Sequence, residues 1–159
     1  MKNSPSTLGG IFALLKAKKQ SPELVKTDPP RGGKVGDFLP LFKGRDQKGR
    51  KVKSEELPGR TVKLIFLSDS CASCAEVLRQ LANTSFSTYF LVIKSEPEPY
   101  SDADLEDIRY PFSIIRSSRI IELFEIRRMP TIVTANASGM IERVDELAEP
   151  ERLASLIER

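Results

Sequence analysis

The chain has 159 residues, of which 40% are hydrophobic and 30% charged, with 25 Lys and Arg against 22 Asp and Glu. This length suits one domain with a substantial core plus a tail, and the net charge of +3 gives no reason to expect a nucleic-acid partner. With no His and only two Cys, the chain cannot build a four-ligand Cys/His zinc site, a Cys/His nucleophilic pair or an imidazole-dependent copper site.

Residues 1–33 form a predicted N-terminal arm that is rich in Pro and Gly and has one apolar patch, Leu8–Leu15. The patch is too short to span a membrane, which takes about 20 apolar residues, and it precedes Lys16, Lys18 and Lys19, the reverse of signal-peptide order. We expect a loosely ordered arm whose short helix packs on the domain or on a partner. The alternative is contact with a membrane surface, or the remnant of an upstream anchor. The sequence as given predicts a cytoplasmic protein, whereas an upstream anchor would tether it outside the membrane.

Residues 34–159 alternate signals for strands and helices, which predicts an α/β domain. A hairpin is expected from extended pieces around Phe38–Phe42 and Lys51–Lys53, with turn residues between them. Val62–Leu67 and Thr88–Ile93 are apolar runs typical of strands buried on both faces of a sheet. The later predicted elements are a short helix capped by Ser101 or Asp102, a strand Phe112–Ile115, a helix in Ser117–Ile126, a strand Thr131–Ala135, a turn Asn136–Gly139, a strand Met140–Val144 and a closing helix Pro150–Ile157.

Both cysteines, Cys71 and Cys74, follow the apolar run Val62–Leu67 and open an amphipathic stretch that ends near Asn83. The first turn of a helix offers unpaired N–H groups and partial positive charge, which favour a thiolate, the nucleophilic form of cysteine. We therefore expect Cys71 to attack a disulfide of a partner. Cys74, one turn further along, is expected to be less exposed and to resolve the mixed disulfide.

Other interpretations of the dithiol remain open. Two cysteines on a helix can be small buried hydrophobic residues. A structural disulfide is disfavoured, because a loop this short gains little stability on closure. A binding or assembly module with a non-catalytic or redox-sensing dithiol is the second hypothesis. A peroxiredoxin-type peroxidase is the third, although the chain lacks a Pro-x-x-x-Thr-x-x-Cys pattern around Cys71.

Polar residues surround the dithiol. Ser70 is predicted to cap the helix, and Ser73 is placed to hydrogen-bond the Cys71 thiolate. Asp69, if close, would oppose the ionisation of Cys71 by like charge.

An acidic run further along the chain predicts a solvated helix face: Asp102, Asp104, Glu106 and Asp107.

The order of these motifs resembles the thioredoxin-like superfamily, and within it the redoxin or TlpA-like branch of thiol-disulfide oxidoreductases. The resemblance lies in Val35–Pro40 (VGDFLP), Gly49–Val52 (GRKV), Leu64–Cys74 (LIFLSDSCASC), Met129–Thr131 (MPT) and the later Gly139. The FLSDSCASC run is also similar to that of the thioredoxin-like proteins of methylamine dehydrogenase maturation. The resemblance covers about residues 35–159. It implies a thioredoxin-like fold, with a central mixed sheet flanked by helices and an added N-terminal hairpin.

The resemblance also implies roles for single residues. Pro130 would be a cis-proline that faces the dithiol, and the backbone of Met129 would pair with an incoming peptide. Ser70, where a tryptophan is usual, and Ser73 complete the predicted substrate-binding set. Ile65 stands where thioredoxin has a buried acid, so no carboxylate is in place to deprotonate the second cysteine. We expect a monomer that exchanges disulfides with a protein partner and needs no cofactor or metal.

Overall fold

The computed structural model describes residues 32–158. The predicted N-terminal arm lies outside the described residues except for Gly32 and Gly33. Its helix, its membrane contact and its boundary with the domain therefore stay predictions. Within residues 32–158, no helix has the length and apolar character needed to cross a membrane.

The strands and helices alternate as predicted. In chain order they are β1 Lys43–Arg45, β2 Lys51–Lys53, β3 Val62–Phe66, α1 Ala72–Asn83, β4 Tyr89–Lys94, α2 Ala103–Asp107, β5 Ile114–Arg116, α3 Ser118–Leu123, β6 Thr131–Ala135, β7 Ile141–Glu146 and α4 Leu153–Glu158. Short 3-10 turns at Ser54–Glu56 and Pro150–Arg152 precede β3 and α4.

The bounds of the N-terminal hairpin differ from the prediction. Its first strand is Lys43–Arg45, not the stretch around Phe38–Phe42. Phe38 makes only an isolated bridge to Met140. The physical reason is Pro40, which has no N–H to donate to a ladder and so interrupts a strand.

Strand β3 lies at the centre of a five-stranded sheet in the order β5-β4-β3-β6-β7. It pairs in parallel with β4 and antiparallel with β6, and all five of its residues are buried. The parallel register places Phe66 opposite Ile93. Because parallel strands bring their carboxyl ends to one edge, the segment after β3 and the end of β4 meet there.

Apolar clusters cover both faces of the sheet. Side chains alternate between faces along a strand, so Phe66 joins one cluster and Ile65 the other. The Phe66 cluster includes α3 residues and Phe124, whose ring centroid lies 5.3 Å from that of Phe66. The Ile65 cluster includes residues of α1 and α4, and Cys74 belongs to it. The second cysteine is therefore part of the face by which α1 packs on the sheet.

The hairpin β1-β2 is attached to the edge strand β5 through its turn. Asp46 accepts hydrogen bonds from the Arg50 N–H at 2.9 Å and the Ser113 hydroxyl at 2.8 Å. Gln47 accepts one from the Ile114 N–H at 2.7 Å. Burial alone would raise the pKa of Asp46, but these hydrogen bonds outweigh it and hold the pKa below its usual range. The attachment covers an edge that would otherwise present unpaired backbone groups.

Candidate functional site

The dithiol lies where β3 leads into α1. Cys71 is the N-cap of α1, with an extended backbone, and its Sγ accepts a hydrogen bond from the Cys74 N–H at 3.2 Å. The prediction that Ser70 caps the helix is wrong, because the Ser70 hydroxyl pairs instead with that of Ser68 at 3.1 Å. The chain enters the helix one residue later than predicted. The Cys71 sulfur therefore takes the place of the side-chain oxygen that usually accepts the N–H of the first helical turn.

The two sulfur atoms differ in accessibility. Cys71 is half-buried, whereas Cys74 is 1% exposed, and both are free thiols. Burial, followed by the hydrogen bond between its thiol and Cys71, raises the pKa of Cys74. The half-buried cysteine is therefore open to attack another molecule, and the buried one is kept protonated behind it.

The residues of the Met-Pro motif lie beside the first cysteine. The peptide bond between Met129 and Pro130 is cis, and the Met129 carbonyl oxygen lies 3.7 Å from the Cys71 Sγ. Pro130 is buried and Met129 is half-buried between the two apolar clusters. Ser70 is exposed in the loop before Cys71, and Ser73 is half-exposed in the first turn of α1. The structure thus brings both segments of the predicted site together.

Asp69 is held by two cations. Its carboxylate accepts hydrogen bonds from Lys94 Nζ at 2.9 Å and from Arg116 Nη1 at 2.7 Å. The hydrogen bond from Arg116 makes the largest contribution to a pKa of about 2 for Asp69. The two cations offset the like-charge effect that we expected Asp69 to have on the neighbouring thiolate.

Arg116 links Asp69 to a second carboxylate. Its Nε donates to Asp107 Oδ2 at 2.6 Å and its Nη2 to Asp107 Oδ1 at 3.0 Å, which is bidentate geometry. The Asp107 side chain is 4% exposed, so the prediction that it lies on a solvated face is wrong. The reason is its position on the side of α2 that contacts the end of β5.

The sequence pattern did not single out Lys94 or Arg116. Lys94 is the last residue of β4 and Arg116 the last residue of β5. A cation that directly follows a buried strand, near an acid that follows the neighbouring strand, is the signal that would have identified them.

Within residues 32–158, no group of three or more Cys, Asp or Glu is placed to hold a metal ion.

Acidification is expected to destabilise the domain through Asp69. Its pKa is lowered from 3.8 to about 2, so the unfolded chain takes up the proton first as the pH falls. The stability that Asp69 contributes is present above about pH 4 and is lost as the pH falls to about 2. Urea unfolding should therefore show a larger drop in midpoint between about pH 5 and about pH 2.5 for wild type than for Asp69→Asn.

A matched control for this titration is Asp104→Asn, which changes an exposed carboxylate on α2. It is expected to follow wild type across the same pH range. If the urea midpoint falls equally for wild type and Asp69→Asn over this pH range, the contribution assigned to Asp69 is contradicted.

No protein-family model and no curated protein sequence matches the chain. Solved structures do match it. The thioredoxin domain of a thiol-disulfide oxidoreductase from Bacteroides vulgatus has a TM-score of 0.61 and 18% identity, over 79% of this chain and 96% of that one. A thiol:disulfide interchange protein of the DsbE type from Chlorobium tepidum has a TM-score of 0.63 and 19% identity, over 77% and 92%. A secreted disulfide oxidoreductase from Mycobacterium tuberculosis has a TM-score of 0.56 and 17% identity, over 73% of this chain and 93% of that one.

At these identities the similarity establishes the fold. The central mixed sheet, the helices on both faces and the small antiparallel hairpin before β3 agree with the predicted architecture. The prediction of fold class is confirmed. The chain has a thioredoxin-like fold, and the solved structures that it resembles are thiol-disulfide oxidoreductases of the thioredoxin-like, DsbE and TlpA-like type.

Proposed function

We propose that the protein is a thiol-disulfide oxidoreductase that exchanges disulfides with a protein partner through Cys71 and Cys74. One observation carries the proposal. The half-buried Cys71 Sγ caps α1 and accepts the Cys74 N–H at 3.2 Å, while the Cys74 side chain is enclosed one turn behind it. An accessible sulfur with a second sulfur behind it is what a two-step exchange requires.

Cys71 performs the first step. Its thiolate attacks one sulfur of the partner's disulfide, and an S–S bond forms between Cys71 and the partner. The other partner sulfur leaves with the electron pair of the broken bond and takes up a proton. The N–H groups at the start of α1 stabilise the attacking thiolate, because they carry the positive end of the helix dipole.

Cys74 completes the exchange. It loses its proton and attacks the Cys71 sulfur, and the bond between Cys71 and the partner breaks. The partner leaves with both sulfurs reduced, and the protein holds a disulfide between Cys71 and Cys74. The same steps in reverse oxidise a dithiol of the partner, and the relative reduction potentials set the direction.

The backbone of Met129 is the proposed binding point for the incoming peptide. Its carbonyl lies 3.7 Å from the Cys71 Sγ, so an extended peptide that pairs with Met129 would hold its own cysteine close to Cys71. The peptide bond between Met129 and Pro130 is cis, and Pro130 is buried. Ser70 and Ser73 are proposed to contact the residues that flank the partner's cysteine. The reaction needs one copy of the chain and no bound cofactor.

Reduction of insulin by dithiothreitol tests the proposal. We expect wild type to accelerate precipitation of the reduced insulin chain. The Cys71→Ser/Cys74→Ser double variant should give only the background rate, because no sulfur remains to exchange. If the wild type also gives the background rate and its dithiol does not exchange with glutathione, a binding or assembly module with a non-catalytic or redox-sensing dithiol becomes the better interpretation.

A further inference from the structure

A cavity of about 400 Å³ has the buried Cys74 in its wall. The loop after β3 contributes Ser68 and Asp69 to it, and the end of β4 contributes Lys94. The remaining polar lining comes from the segment after β4, from α2 and from the turn that follows α2: Glu98, Ser101, Asp102, Glu106 and Tyr110. Cys74 thus lies in the wall of a cavity that it shares with one cation and several carboxylates, and Cys71 is not part of that lining.

The position of Lys94 is fixed by the sheet. Phe66 is opposite Ile93 in the parallel pair, so the next residue of β4 lies beside the segment that leads to the dithiol. The Lys94 side chain is 7% exposed, and its Nζ donates to Asp69 at 2.9 Å. A buried ammonium is retained only with such a partner.

The carboxylate that pairs with Lys94 is shared. Asp69 also accepts hydrogen bonds from Arg116 at 2.7 and 3.2 Å, and its own side chain is 47% exposed. Asp69 therefore offsets the charge of Lys94 only in part. Burial first, and the hydrogen bond with Cys71 second, raise the pKa of Cys74. The backbone hydrogen bond from Ser68 lowers it, and the charge of Lys94 acts in the same direction as a smaller contribution.

We propose that Lys94, whose charge Asp69 partly offsets, is a positioning residue that stabilises the Cys74 thiolate as it forms during resolution of the mixed disulfide. The inference rests on the proposed function, since resolution is the second step of that exchange. Lys94 lines the same cavity as Cys74, so its positive charge favours the anion that must form there. The Cys74 proton passes to solvent through the cavity, its electron pair attacks the Cys71 sulfur, and the partner's sulfur leaves as thiolate.

The acidic groups that line the cavity act in the opposite sense. Carboxylates at Glu98, Asp102 and Glu106 disfavour a thiolate at Cys74. These groups are the same in every variant considered below. Differences between the variants therefore report on Lys94 and Asp69.

The test is stopped-flow reaction of the reduced protein with DTNB, which releases one thionitrobenzoate when Cys71 is captured and a second when Cys74 resolves the adduct. We expect Lys94→Met to slow the second release severalfold at neutral pH, since loss of a cation from the cavity raises the pKa of the Cys74 thiol and so lowers its thiolate fraction. The first release should change less than about twofold, because Cys71 lies outside this cavity lining.

Three further variants test whether the charge of Lys94 sets the rate of the second release. Lys94→Arg keeps the positive charge and should restore the second release to within about threefold of wild type. Asp69→Asn removes the offsetting carboxylate and should accelerate it. Lys51→Met, which removes an exposed lysine on β2, is the matched control and should leave both releases unchanged.

Equal second-release rates for wild type and Lys94→Met overturn the inference, as does a wild type that releases a single equivalent. If circular dichroism shows that Lys94→Met does not fold, Asp69→Asn becomes the deciding variant. A second release from Asp69→Asn that is unchanged or slower than that of wild type then overturns the inference. DTNB needs no protein partner. If wild type does not reduce insulin but Lys94→Met slows the second release from DTNB, the proposed substrate class is therefore refuted and the role of Lys94 is still supported.

Discussion

The Cys71→Ser variant is expected to lose exchange with a protein disulfide down to the uncatalysed rate. A serine hydroxyl is not ionised at neutral pH and cannot form a disulfide, and Cys74, at 1% exposure, cannot take its place. Initial rates of insulin reduction measure the loss. This is the largest single effect on activity that we expect anywhere in the chain.

The same substitution is expected to leave the fold intact, which makes the loss of activity interpretable. Serine is a good N-cap, and its oxygen can accept the N–H of Cys74 that the sulfur now accepts. The thermal unfolding midpoint should therefore stay close to that of wild type. Ala82→Ser, on an exposed position near the end of α1, is the matched control and should keep full activity. Substantial insulin reduction by Cys71→Ser would rule out Cys71 as the attacking sulfur.

The Cys74→Ser variant should instead trap the partner. Cys71 still attacks and forms the mixed disulfide, but the buried serine has no thiolate with which to release it. We expect turnover to fall strongly and a covalent adduct with a disulfide-containing protein to accumulate toward one equivalent. Non-reducing electrophoresis measures the adduct.

The trapped adduct has two internal checks. Added dithiothreitol should release the partner, because the link is a disulfide. The Cys71→Ser/Cys74→Ser double variant should form no adduct, because it has no thiol. If Cys74→Ser gives no adduct while Cys71→Ser does, the two roles are reversed.

The architecture could be predicted from the sequence because each element has a strong local pattern. Val62–Leu67 is apolar almost throughout, and the structure makes Val62–Phe66 the central strand. Thr131–Ala135 is a strand with the predicted bounds. The meeting of Cys71 with Met129, 58 residues later, followed from the resemblance and not from any local pattern.

Other features depend on pairings that no local pattern contains. Ser70 was the predicted helix cap, but the Cys71 sulfur accepts the Cys74 N–H and the Ser70 hydroxyl pairs with that of Ser68. Asp107 lies in an acidic run typical of a solvated face, yet its partner Arg116 comes from another element. The predicted strand stopped at Ile93, so Lys94, a charged residue, was left outside it. Only the parallel register with β3 places Lys94 beside Asp69.

Mapping the first sulfur to be modified is the most direct measurement of how the dithiol works. Reduced wild type is mixed with glutathione disulfide, quenched in acid at short times and digested, and the peptides are identified by mass spectrometry. We expect glutathione on Cys71 at the earliest times, followed by its loss as a disulfide forms between Cys71 and Cys74. Glutathione found first on Cys74, or adducts that persist without a disulfide between the two cysteines, would contradict the proposed exchange.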